Sequence, residues 1–217
     1  MGIQNYSCLQ RTEKAQTQVL SLIIITGIVI ALVGVAYIWG APLIEKRTVY
    51  TQYISAEKFM NDLNDKIATI ATTCTTSGGC TQTLNIPRIE GAGFGINEQM
   101  NTLYFEFPSK QRMLSSEKIS INTPYTGDPA DYGTAPPGLL QVEGSEEDGF
   151  YIIRFSLNYR ELYDEDSGVG HKIKLTGNVN GNSQIVMTFA GTQAIRGGST
   201  APSGGDLTIS TVQLSIL

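Results

Sequence analysis

The sequence predicts an α+β protein: one long N-terminal hydrophobic α-helix followed by an all-β, antiparallel, sandwich-like C-terminal domain. Three observations carry this. Ala15–Ile44 is thirty consecutive residues without a formal charge. Val49–Ile70 then repeats apolar residues at helical spacing. From Leu84 onward the periodicity becomes that of strands, with turn residues between the runs.

The first fourteen residues, MGIQNYSCLQRTEK, are polar and end on Arg11 and Lys14. Val19–Trp39 behind them reads VLSLIIITGIVIALVGVAYIW. About 20 apolar residues in helical form span the hydrocarbon of a bilayer. Within lipid such a segment must satisfy its own backbone hydrogen bonds, so helix is the expected conformation. A secretory signal has a shorter apolar centre and a small-residue cleavage site after it. No such site precedes the polar residues Glu45, Lys46 and Arg47. The helix is therefore expected to stay on the mature chain, either as a permanent anchor or behind a leader cut on the cytoplasmic side.

Glu13-Lys14-Ala15-Gln16-Thr17 followed by the apolar run is similar to the class III signal of archaeal type IV pilin-like proteins. The resemblance covers residues 11 to about 45. It implies that a prepilin-type membrane peptidase cuts between Lys14, at the basic position, and Ala15, at the small one. Bacterial type IV pilins usually carry a glutamate five residues into the mature chain. Val19 stands there, which favours the archaeal branch. The resemblance also implies an N-terminus inside the cell. The flanking charges, Arg11 and Lys14 against Lys46 and Arg47, do not settle orientation by themselves.

Gly27, Ala31, Gly34 and Ala41 fall on one strip of the helix. Small residues at such spacing let apolar helices approach closely; ordinary lipid-facing composition is the plainer reading. Ser21 and Thr26 can return hydrogen bonds to the preceding turn. Tyr37 and Trp39 sit where an interfacial aromatic belt belongs. Gly40 and Pro42 predict a kink or break, because proline removes a donor and clashes one turn back.

Val49, Tyr53, Ala56, Met60, Leu63, Ile67 and Ile70 recur at alternating spacings of four and three, a heptad-type seam. Lys58, Asn61, Asp62, Asp65 and Lys66 occupy the other face. Such a seam must be covered, by the chain's own C-terminal domain or by helices of neighbouring copies. Thr-rich residues 72–76 and Gly78-Gly79 end the helix. The expected division is a leader over 1–14, the membrane and filament-core helix over 15–73, a connector over 74–82 and an extracellular β-domain over 83–217.

Of three cysteines, Cys8 lies in the leader, so cleavage leaves the pair Cys74 and Cys80. A short glycine-containing loop between them suits a local disulfide in an oxidising compartment; two free thiols are the alternative. Loop-closure entropy for so small a ring gives about 2 kcal/mol. Zinc is disfavoured, because no second Cys/His pair exists to complete four ligands.

Strands are expected at Leu103–Phe107, Lys118–Asn122, Phe150–Leu157, His171–Thr176, Gln184–Phe189 and Leu207–Leu217. Turn clusters at Gly127-Asp-Pro129, Pro136-Pro-Gly138 and Asn178-Val-Asn-Gly181 separate them. The last strand is expected to pair inside its own sheet or to be donated to a neighbour.

Little in the sequence carries chemistry. The one histidine, His171, falls on an expected strand among lysines, and no nucleophile-elbow motif supports a triad. The acidic clusters Glu146-Glu-Asp148 and Asp164-Glu-Asp166 lack the EF-hand pattern and read as solvated turns. Gly91-Ala-Gly-Phe-Gly95 is not followed by the Lys-Ser/Thr of a phosphate loop. The chain is therefore not expected to be an enzyme, and no catalytic, cofactor or metal residue is assigned. A net charge of −5 argues against nucleic-acid binding.

The resemblance implies a subunit that waits in the membrane, is cleaved, and polymerises through its apolar helix into an extracellular adhesive filament. Its partners would be copies of itself, the peptidase and a membrane assembly machinery. Gly27, Ala31, Gly34, Val49, Tyr53, Met60, Leu63 and Ile67 are the expected packing and assembly positions. The competing expectations are a membrane-anchored surface or binding protein that never polymerises, and an anchored extracellular enzyme.

Overall fold

The structure is a computed structural model describing residues 6–74, 79–122, 129–147, 149–178 and 183–217, with side chains from Val19 onward. Helix α1 spans Tyr6–Thr73 as one helix with Pro42 inside it; of the kink or break expected at Gly40–Pro42, the break does not occur, and a kink is compatible with an unbroken helix. Backbone helix also runs across Lys14 and Ala15, whose side chains lie outside the described residues.

The helix ends where Thr69, Thr72 and Thr73 return their hydroxyls to carbonyls one turn back, at 2.7, 2.9 and 2.6 Å. The Cys74 amide makes a last helical bond to Ile70 O at 3.2 Å. The hydroxyls double up on carbonyls that already accept helical amides, so these threonines satisfy their own polar groups within the last turns. Cys74 is disulfide-bonded to Cys80, with Cα atoms 6.0 Å apart. The bridge ties the end of α1 to the first strand; residues 75–78 of the threonine-glycine connector lie outside the described residues.

Eleven strands follow among the described residues: β1 Thr81–Asn85, β2 Gly93–Asn97, β3 Thr102–Ser109, β4 Ile119–Ser120, β5 Ala130–Asp131, β6 Gly138–Glu147, β7 Phe150–Tyr159, β8 Glu161–Asp164, β9 Val169–Asn178, β10 Gln184–Ile195 and β11 Asp206–Ile216. They form two sheets. One has the order β1-β10-β11-β9-β8-β5, the other β2-β3-β7-β6-β4. The second is antiparallel throughout. The first is mixed, because β11 pairs with β9, and β5 with β8, in parallel. The expected long helix followed by an antiparallel-rich β-domain is what the chain forms, with these two parallel pairs as the exceptions. The cause is a strand order that β-hairpins cannot produce: β11 enters between β10 and β9, so β9 and β10 are neighbours in sequence but not in the sheet.

Each sheet buries one face by simple alternation. Leu103, Phe105 and Phe107 of β3 meet Ile153, Phe155 and Leu157 of β7, and Leu140 and Val142 of β6. Ile173 and Leu175, Ile185, Met187 and Phe189, and Val212, Leu214 and Ile216 do the same for the other sheet. Both faces and the seam of α1 belong to one hydrophobic core.

Asn101 ties the two sheets together. It closes the β2–β3 turn at φ +53°, a left-handed conformation that asparagine tolerates better than most residues. Its side-chain amide donates to Tyr159 O, at the end of β7, at 3.0 Å, and to Ile173 O of β9 at 2.7 Å. Its Oδ1 accepts from the Leu175 amide at 2.8 Å. One half-turn of chain thereby satisfies backbone groups of both sheets away from water.

A second polar tie holds the long β10–β11 connection. Glu161 on β8 is 1% exposed. Its carboxylate accepts from Ser199 Oγ at 2.6 Å, Thr200 N at 3.1 Å and Thr200 Oγ1 at 2.9 Å. Tyr163, two residues on, donates to Gly204 O at 3.0 Å. The connection therefore lies against β8.

Replacing Asn101 with Ala leaves three buried backbone groups without partners and is expected to lower stability by about 2–4 kcal/mol. Urea unfolding checks this; an unchanged midpoint would remove Asn101 as the inter-sheet tie.

Candidate functional site: an uncovered apolar helix and the seam behind it

The chain divides into two compact units, Met1–Thr48 and Val49–Leu217, and α1 contributes to both. The two stretches of helix meet opposite fates.

In the second unit the seam is covered by the chain's own sheets. Ala56, Met60, Leu63, Ile67 and Ile70 are completely buried, Val49 is buried, and Tyr53 is half-buried against the core. Their neighbours are aromatic. Tyr53 packs on Phe155 with centroids 5.2 Å apart, and Phe59 on Phe105 at 5.3 Å and edge-on to Phe94 at 6.0 Å. Offset and tilted pairs of this kind add to the burial itself. The heptad thus closes the domain core. Of the two expected covers, own domain or neighbouring helices, the own domain covers Val49, Met60, Leu63 and Ile67. Phe59, one position before Met60, is also buried, although a strict heptad omits it.

The seam has one polar station. Asn64 Oδ1 accepts from the Tyr159 hydroxyl at 3.1 Å, and a Cβ at Gly138 would lie 2.0 Å from that same oxygen. Gly138 is thus the residue that lets β6 pass over the Asn64–Tyr159 bond. Complete burial, with Asp65 nearby, pushes the Tyr159 phenol well above its ordinary pKa. Burial, then Glu57 and Tyr50, also raises Tyr53.

In the first unit the described side chains of residues 19–48 are exposed, Gly40 and Ala41 partly so. Ile23, Ile30 and Trp39 are 63%, 67% and 79% exposed. Val19–Thr73 is the one described helix long and apolar enough to cross a membrane, and none of its most apolar window is buried. Gly27 and Gly34 face open space, with nothing within 4 Å of a built Cβ, and Ala31 is exposed. The small-residue strip is therefore available. Thr26 returns its hydroxyl to Leu22 O at 2.8 Å, as its position in an apolar helix requires.

The residues considered for chemistry are dispersed. His171 is half-buried and stacks on Tyr132 at 4.5 Å. Asp164 ends β8 in a tight turn, accepting from the Asp166 amide at 3.0 Å and Ser167 Oγ at 2.7 Å. The Ser167 bond chiefly holds its carboxyl below the ordinary value. Glu146 and Glu147 end β6 rather than forming a free loop, and Asp148 lies outside the described residues. Gly93–Asn97 of the glycine-rich stretch is strand β2. No group of three metal-ligating side chains occurs among the described residues. Comparison with protein-family models, curated proteins and solved structures gives no match to this chain.

Two outcomes are expected. Leu63→Asp puts a charge into the closed core and should prevent folding of the β-domain, read as loss of protease resistance. Leu32→Asp should leave that resistance intact; equal damage from both would refute the division between the two stretches. Because the folded phenol of Tyr159 holds its proton more tightly than the unfolded one, its contribution is complete below pH 10 and is lost as pH rises through the folded value. Tyr159→Phe should flatten the alkaline fall in melting temperature, and parallel wild-type and variant curves above pH 10 would refute this role.

Proposed function

We propose that the chain is a structural subunit of an extracellular archaeal type IV pilus-like filament serving adhesion and surface attachment. A prepilin-type peptidase cuts between Lys14 and Ala15, the subunit waits in the membrane, and an assembly machinery transfers it into a helical homopolymer. One observation carries the reading: a long, uncharged, wholly uncovered helical surface is attached to a domain whose own core is already closed. Lipid can cover that surface first. Copies of the same helix, approaching along Gly27, Ala31 and Gly34, can cover it afterwards. The assembly contact thus falls on residues 19–48, and the seam from Val49 onward serves the domain.

A second reading is supported by the same closure. A domain that buries its seam within its own unit is complete as a monomer, so a membrane-anchored surface or binding protein that never polymerises also fits. Mass spectrometry of material sheared from the surface of cells making the chain separates the two. The filament reading expects polymer whose subunits begin at Ala15. An intact Met1 confined to the membrane fraction would overturn it in favour of the anchored module.

A further inference from the structure

β1 is the outermost strand of the first sheet and is bonded to β10 on one side only. It is polar, Thr81-Gln-Thr-Leu-Asn85, and none of its residues is buried. Three side-chain bonds among the described residues add to its ladder. Lys66 Nζ donates to Gln82 Oε1 at 3.3 Å, Gln184 Nε2 donates to Asn85 Oδ1 at 3.3 Å, and the Thr81 and Thr188 hydroxyls stand 3.4 Å apart. The C-terminal end of the strand is held by apolar contact, because Leu84, Ile86 and Ile89 pack on the core. The N-terminal end is held by the bridge from Cys80 to the buried Cys74 at the end of α1.

The backbone bonds of β10 are divided between its two neighbours by parity. The Phe189 amide donates to Cys80 O at 3.1 Å, and the Ile86 amide to Ser183 O at 3.1 Å. Bonded partners in an antiparallel pair recur at every second residue. The register therefore places Met187 with Gln82, and Ile185 with Leu84, in the same bonded class. The alternate residues of β10 turn the other way. Gln184 and Leu217 exchange both backbone bonds, at 3.3 and 2.9 Å, which puts the amides of Val186 and Thr188 on β11 as well.

We infer that the Cys74–Cys80 bridge is a redox latch on this sheet edge. Closed, it holds β1 over the Ile185–Phe189 edge of β10. Open, it lets β1 fray from Cys80 and Thr81 inward, while Leu84 and Ile86 keep the far end in place. The backbone of Phe189 and Met187 then becomes a bare edge, a template for pairing with another chain. Closing the latch forms one S–S bond and takes two electrons and two protons from the two thiols. A disulfide oxidant accepts them by exchange. One cysteine thiolate attacks a sulfur of the oxidant, and the other then displaces the mixed disulfide, leaving the oxidant as a dithiol. The edge is thus sealed in an oxidising compartment, whether the chain polymerises or remains a monomer.

The test is residue-resolved amide hydrogen exchange on the full chain in detergent micelles, oxidised and after reduction by an excess of dithiol. Reduction should speed exchange at Phe189 and Met187 about tenfold, with Ile185 less affected, and leave Gln184, Val186 and Thr188 within about twofold. The double variant Cys74→Ser, Cys80→Ser should show the same alternation without reductant. Equal acceleration at all six amides would overturn the latch and make the bridge a brace for the whole domain. Unchanged exchange at Met187 and Phe189 would overturn it as well, because β1 would then hold without the bridge.

Discussion

Burial of one helical seam governs the fold. Each fully buried aliphatic side chain stabilises by about 1.5–3 kcal/mol, and Met60, Leu63, Ile67 and Ile70 are all at 0% exposure. The two sheets have apolar inner faces that need this helix as much as the helix needs them. Phe105 and Phe155 would otherwise lose the rings of Phe59 and Tyr53. The stretch before Thr48 obeys the opposite condition. Its apolar surface is continuous around the helix and exposed. One unbroken helix thus carries a buried seam from Val49 onward and an exposed apolar surface over residues 19–44.

Polar groups then set the arrangement that apolar burial leaves free. Hydrophobic contact is non-directional and would allow the sheets to slide. Asn101 bonds to backbone on β7 and β9 together, and Glu161 fixes the β10–β11 connection on β8. Both sit at turns or strand ends, where backbone groups leave the ladders. Gly177 marks a further close approach: at φ +141°, a Cβ there would lie 1.9 Å from Leu214 O on the neighbouring parallel strand.

Much of this is legible in the amino-acid order. The helix, its end near Thr72, the disulfide and six strands follow from periodicity and turn chemistry. Other strands are hidden for physical reasons. β1, TQTLN, is a polar edge strand that buries little. β2, GFGIN, carries glycine at alternate positions, and Gly95 exists to pass beneath the Tyr104 ring. β6 buries Leu139 and Leu140 in succession, which breaks the two-residue rhythm. Asp148-Gly149 could have revealed β6, because Asp-Gly between two strands is a strong signal for a two-residue hairpin; Glu147 pairs with Phe150 around it, and Gly149 has φ +79°. The parallel pairing of β9 and β11 has no local signature, since it depends on which strands become neighbours. The covering of the seam was open for the same reason. The exposed strip Gly27, Ala31 and Gly34 is legible in composition.

The position of β11 has a consequence for how the chain reaches its native state. β11 supplies the ladder partner for both β10 and β9, along ten registered pairs on each side. Until residues 206–216 arrive, β9 and β10 present bare edges to one another across a missing strand. That sheet therefore forms late and through contacts distant in sequence, which makes folding slow. A chain emerging N-terminus first holds an incomplete sheet with exposed edges until residues 206–216 emerge, and in that interval it is most open to aggregation and to proteolysis.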